Sequence, residues 1–125
     1  MGRRGRQRER ERGVEPLDVP TAAYRDSEGG VLTLRGVLSP ATRREYAQAR
    51  AGEGRPAATQ EDAWQRAVEL LFERLAVRWE IAGVACERPR DLLARYRVAS
   101  AAERAWVRDA LREHLADWFP EMEAP

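Results

Sequence analysis

Lysine and asparagine are absent from this chain, isoleucine occurs once (Ile81), and all 22 basic residues are arginine. The missing types use AT-rich codons and most arginine codons are GC-rich, so the composition is that of a very GC-rich genome. In such a genome an arginine run says less about nucleic acid, because every positive charge is written as Arg. Cys86 stands alone, which excludes an internal disulfide and leaves no cysteine–histidine set for zinc. His114 is the single histidine, so no multi-histidine metal site can be assembled. Glycines fall only at the ends of predicted elements, without the spacing of a phosphate-binding loop or dinucleotide fingerprint. No apolar run approaches the roughly 18 residues of a membrane span. The basic start has no following apolar stretch of the kind a signal peptide needs, and a cytoplasmic location is expected.

What is present is charge, unevenly placed. Residues 1–13 carry six arginines against Glu9 and Glu11, whereas the remaining residues carry 16 arginines against 19 acids. A basic arm thus precedes a mildly acidic body. Residues 1–23 hold few apolar anchors and two prolines (Pro16, Pro20), the composition of a disordered segment. Its removal is expected to leave the fold intact.

From Tyr24 onward the pattern changes. Asp26-Ser27-Glu28-Gly29-Gly30 is turn chemistry, and Val31-Leu32-Thr33-Leu34-Arg35 reads as a strand, so a short hairpin is predicted. Ser39 and Pro40 open a helix that Gly52 closes, and Gly54 with Pro56 makes the next loop. Thr59 with Asp62 resembles a capping box. From there Trp64, Ala67, Val68, Leu71, Leu75, Trp79 and Ala82 recur at spacings of three and four, with Gly83 as the stop. This spacing predicts one helix about 36 Å long. After a loop at 84–88, Pro89 opens a helix carrying Leu92, Leu93 and Tyr96. Ser100 and Glu103 form a second capping box ahead of a last helix with Trp106, Val107, Ala110, Leu111, Leu115, Trp118 and Phe119, ended by Pro120. The expected fold is therefore mainly α: a disordered arm (1–23), one domain over 24–120 made of an N-terminal β-hairpin and about four helices, and a C-terminal tail (121–125).

Trp64, Leu71, Leu75, Trp79 and Trp106 are the expected structural core. His114 lies near the end of the last helix, where a cation complements the helix dipole, and a structural or exposed role is expected. Glu69, Glu73 and Glu80 are read as partners of Arg66, Arg74 and Arg78 on a solvated helix face. No catalytic, cofactor-binding or metal-binding residues are assigned, and an enzyme is not expected. The two helices around Val98-Ala99-Ser100 mimic a helix-turn-helix, but the second mixes both charge signs and begins with an acid where phosphate would approach. Weak, non-specific contact of residues 3–12 with nucleic acid fits better, and a small Arg-armed nucleic-acid-binding protein is the alternative reading. Leu115, Trp118 and Phe119 cluster at a helix end with few elements left to cover them, which marks a partner-binding surface and favours a homo-oligomer.

The segment Arg74–Arg97, with Trp79, Gly83 and the Leu92-Leu93 helix, followed by a further amphipathic helix and Trp118-Phe119-Pro120-Glu121, resembles tail assembly chaperones of long-tailed bacteriophages. In order of elements the resemblance runs over residues 24–120. It implies a non-enzymatic protein that binds the tape-measure protein during tail assembly and helps recruit tail-tube subunits. It implies no catalytic residues and no cofactor.

Overall fold

The computed structural model of the protein describes residues 19–52 and 59–125. Eight elements follow in order: β1 (Thr21–Arg25), β2 (Val31–Arg35), α1 (Pro40–Ala51), α2 (Gln60–Leu75), β3 (Ala76–Ile81), β4 (Val84–Cys86), α3 (Pro89–Arg97) and α4 (Ala101–Trp118). Most of the arm, including residues 3–12, and the Gly54–Pro56 loop lie outside the described residues.

The local signals at the element ends act as their chemistry requires. Asp26 Oδ1 accepts from the backbone N–H of Glu28 and of Gly30, both at 2.8 Å, and closes the β1–β2 turn. Ser39 caps α1 with Pro40 at its first turn, and Gly52 ends it in the left-handed region at φ 75°. Reciprocal capping boxes, Thr59 with Asp62 and Ser100 with Glu103, start α2 and α4. Each satisfies backbone donors that a helix start leaves without intrahelical partners.

The mainly α expectation is corrected. The fold is mixed α/β, with a four-stranded antiparallel sheet in the order β1-β2-β3-β4. The long helix expected over 59–83 ends at Leu75, and the chain continues directly into β3, which pairs with β2. The expected loop at 84–88 contains β4, paired with β3. Trp79 and Ala82 fit a helical phase by coincidence. Val77-Arg78-Trp79-Glu80-Ile81 also alternates apolar and charged residues, and pairing with β2 decides between the two periods. Thr21, Ala22 and Ala23, assigned to the arm from sequence, pair with Arg35, Leu34 and Thr33, so a cut after residue 23 would remove over half of β1.

Register places Tyr24, Leu32, Trp79 and Cys86 side by side across the four strands. On this face Leu32, Leu34 and Trp79 join Leu71, Phe72 and Leu75 of α2, Leu92 and Tyr96 of α3 and Leu111 and Leu115 of α4 in one core. Arg25, Val31, Glu80 and Ala85 form a row on the opposite face. A bulge at Thr33/Leu34, opposite Val77, breaks the ladder where α2 hands over to β3. The α1–α2 pair is thus an insertion between two neighbouring strands.

Trp79 is 2 % exposed. Its ring meets Phe72 edge-on, with centroids 5.6 Å apart, and carries the Arg95 guanidinium 5.2 Å above it. Arg95 in turn binds Glu103 at 2.6 Å. Of the glutamates and arginines expected to pair along one helix face, Arg78 and Glu80 do bind each other, but on β3, while Glu69 binds Arg97, Arg74 binds Glu45 and Arg78 also binds Glu87. They do so because Arg78 and Glu80 stand on a strand, and because α1 and α3 flank α2.

Two predictions come from this arrangement. Trp79→Ala should lower unfolding free energy by about 3–5 kcal/mol, the range for truncating a buried aromatic, while Arg78→Ala should change it little; urea denaturation of both variants checks the pair. Ala82 and Gly83 form the two-residue β3–β4 loop with φ of 52° and 80°, a geometry that favours Asn-Gly. An alanine there pays the left-handed penalty of about 1–2 kcal/mol, so Ala82→Asn should raise the melting temperature. An unchanged or lower value would contradict the strain.

Candidate functional site

Two features on α4 invite a functional reading: its C-terminal end, where sequence placed the partner-binding residues, and a cleft along its N-terminal half.

At the C-terminal end the expected surface is not formed as a unit. Leu115 and Phe119 are each 1 % exposed, and Trp118 is 37 % exposed. The cover comes from residues 119–125, which double back along α1. Arg43 pairs with Glu121 and stacks over the Phe119 ring, the Tyr46 hydroxyl donates to the Glu123 carbonyl, and Arg50 binds Glu123 and the Ala124 carbonyl. Met122 packs against the core. Trp118 lies over Gly36, where a Cβ would come within 2.4 Å of the indole ring.

His114 is fully buried beneath this end. Its Nε2 lies 2.8 Å from the Arg35 carbonyl and its Nδ1 2.7 Å from the Tyr24 hydroxyl. A carbonyl only accepts, so Nε2 carries the proton and neutral Nδ1 accepts from Tyr24. Trp118 and Phe119 pack on the imidazole. The ring is therefore a neutral strut between α4 and the β1–β2 hairpin: of the structural and exposed roles expected from sequence it takes the structural one, buried and not as a surface cation at the helix end. Burial pushes its pKa below the ordinary 6.5, opposed by the Arg35 carbonyl and the nearby Asp117. Burial likewise lifts the Tyr24 phenol to about 12, helped by Asp117 and Glu113.

The cleft lies between α2 and α4, with a volume of about 450 Å³. Glu61, Trp64, Val68 and Glu69 of α2 line one side, Tyr96 of α3 contributes at its base, and Ala101, Arg104, Ala105 and Arg108 of α4 line the other. Val68 and Tyr96 are buried, and Trp64 is half-buried. The Arg108 guanidinium sits over the Trp64 ring at 5.4 Å. Neither Trp64 Nε1 nor Arg108 Nε, both shielded from solvent, has a hydrogen-bond partner among the described residues. Glu69 is held by Arg97 at 2.7 Å. Burial raises the Tyr96 phenol, opposed by Arg104 and Arg108 and reinforced by Glu69.

Of the expected core residues, Leu71, Leu75 and Trp79 are buried. Trp106 is half-buried against the core, and Trp64 forms a cleft wall. Sequence reasoning weighed Arg104 and Arg108 only as part of a mixed-charge helix unsuited to reading DNA, and did not single out Ala101 and Ala105. Their pattern, small residues and arginines recurring every three or four positions away from Val107 and Leu111, was the available signal. The first turn of α4 is closed to a phosphate, because Glu103 caps its backbone and binds Arg95. Among the described residues no three histidine, cysteine or acidic side chains cluster to hold a metal ion, and no helix is long and apolar enough to cross a membrane. No family model, curated protein or solved structure matches this chain.

The histidine strut gives a signed pH prediction. A buried, neutral His114 binds fewer protons folded than unfolded, so its contribution is complete above about pH 6.5 and declines as pH falls through the unfolded value. Urea midpoints should fall between pH 7.5 and 5.5, and His114→Gln should flatten that interval. A wild-type midpoint that rises on acidification would refute the neutral assignment.

Proposed function

We propose that this chain is a non-enzymatic assembly protein that holds a helical segment of a protein partner in the α2–α4 cleft. The observation that carries this reading is an open, aromatic-walled cleft between two helices, the setting for helix-in-groove recognition. Trp64 supplies an anchor of the type that dominates protein interfaces. The acids at the cleft already have polar partners: Glu61 with Gln65, Glu69 with Arg97, and Glu103, at the start of α4, with Arg95.

In its finer form the reading follows the resemblance to tail assembly chaperones of long-tailed bacteriophages. The partner is then a tape-measure protein, long and helical, held in the cytoplasm of the bacterial host while tail-tube subunits are recruited. Trp79, one of the residues carrying the resemblance, stands on a strand and not on a helix. The order of elements around it, a β segment before helices and an amphipathic helix after Leu92-Leu93, remains the basis for the finer form.

The experiment is co-expression with a long, helical tape-measure protein of a long-tailed bacteriophage. Ala105 is exposed on the cleft wall, so Ala105→Trp fills the cleft without removing core. Ala105→Trp should abolish co-purification with circular dichroism unchanged, and Trp118→Ala should preserve it. Capture that survives Ala105→Trp and fails with Trp118→Ala would move the surface to the helix end and overturn the cleft.

A further inference from the structure

The two walls of the cleft differ in charge. Arg104 and Arg108 stand one helical turn apart on the α4 side, and Glu61 and Glu69 mark the α2 side. The acids have polar partners: Glu61 accepts from Gln65 at 3.2 Å, and Glu69 accepts from Arg97 at 2.7 Å. The arginines have no carboxylate partner among the described residues. Arg108 is instead laid over Trp64, a placement that pre-orients its guanidinium fork at the edge of the apolar floor. A guanidinium so placed offers paired N–H donors to a carboxylate.

We propose that the cleft selects an amphipathic helix of a protein partner that sets apolar side chains between Trp64 and Val68 and presents acidic residues one turn apart to Arg104 and Arg108. The inference rests on the helix-binding reading above and adds the chemistry and orientation of the occupant. A four-residue spacing on the partner matches the four-residue spacing of the two arginines, because side chains at i and i+4 share a helix face. The opposite flank of the bound helix faces Glu61 and Glu69. That polarity favours one rotational setting of the helix, since the reversed setting brings the partner's acids against Glu61 and Glu69 and takes them away from the arginines. The same acids disfavour nucleic acid, whose phosphates would crowd the α2 wall while they engage α4.

The test uses two synthetic helical peptides with the same leucine face, one carrying glutamate at i and i+4 beside it and the other lysine at those positions. Binding to the full chain is read by fluorescence anisotropy at low and moderate salt. The glutamate peptide should bind about tenfold more tightly at low salt, the scale of two surface ion pairs, and the preference should shrink as salt rises. Arg104→Glu with Arg108→Glu should reverse the preference with helical content unchanged. Rescue by the lysine peptide is something a merely structural role for these arginines would not produce. Equal binding of both peptides, blocked by Ala105→Trp, would overturn the acidic selectivity and leave the cleft reading standing. Binding of neither peptide would overturn both. Displacement of the glutamate peptide by oligo-dT at lower concentration than by unlabelled peptide would assign the arginines to nucleic acid and overturn the proposal.

Discussion

The rest of the structure depends on the burial of Trp79. Its strand position brings it between Leu32 of β2 and Cys86 of β4, its ring meets Phe72 of α2, and Arg95 of α3 covers it. The sheet and two helices therefore share one side chain. Its indole Nε1 has no acceptor among the described residues, so what holds the ring in place is packing and the cation above it. Arg95 extends the tie to a third helix, because the carboxylate that binds it belongs to Glu103, the capping residue of α4. Salt bridges this exposed are worth little alone. Here the pair matters by fixing where α4 begins.

Much of the fold was legible at the ends of elements and less so in their interiors. Ser39, Thr59 and Ser100 each announce a helix start through a side-chain oxygen three residues before an orphan backbone N–H, and such signals are local. The run from Leu75 to Ile81 is different. Leu75, Trp79 and Ala82 satisfy a helical period, Val77, Trp79 and Ile81 satisfy a strand period, and the partner that decides is β2, some 45 residues earlier in the register. The turn that would have marked the hairpin was also disguised. A loop with two successive positive φ values ordinarily advertises itself as Asn-Gly, but this chain contains no asparagine, and Ala82 stands in its place. The same composition that writes every positive charge as arginine leaves no asparagine to give that hairpin signal.

The candidate site was legible in its residue types but not in its location. Aromatic residues near the end of α4 suggested an exposed cluster because the sequence shows no element after it. Residues 119–125 provide that cover through polar contacts with Arg43, Tyr46 and Arg50, spaced along one side of α1. Such contacts carry no periodic signature. Trp64 was expected in the core because it begins the apolar stripe of α2, yet the first turns of a helix reach the core edge before its middle does. In α2 the contiguous core cluster begins at Ala67 and Val68, and Trp64 is left facing Arg108 of α4.

The two ends of α4 are tied by polar groups of different kinds, and this bears on how the cleft works. Glu103 is held by Arg95 near the first turn, and His114 is held by Tyr24 and the Arg35 carbonyl near the last. Ala105 and Arg108 lie between these ties, with Arg104 directly after the first. The wall that carries the arginines is thus anchored to the sheet at one end and to α3 at the other. A wall fixed in this way loses little freedom when a partner seats against it, and reducing that loss is how preorganisation converts contact into affinity. For the helix-binding cleft proposed above, the polar ties at the ends of α4 would leave the apolar floor and the two arginines set in place before a partner binds.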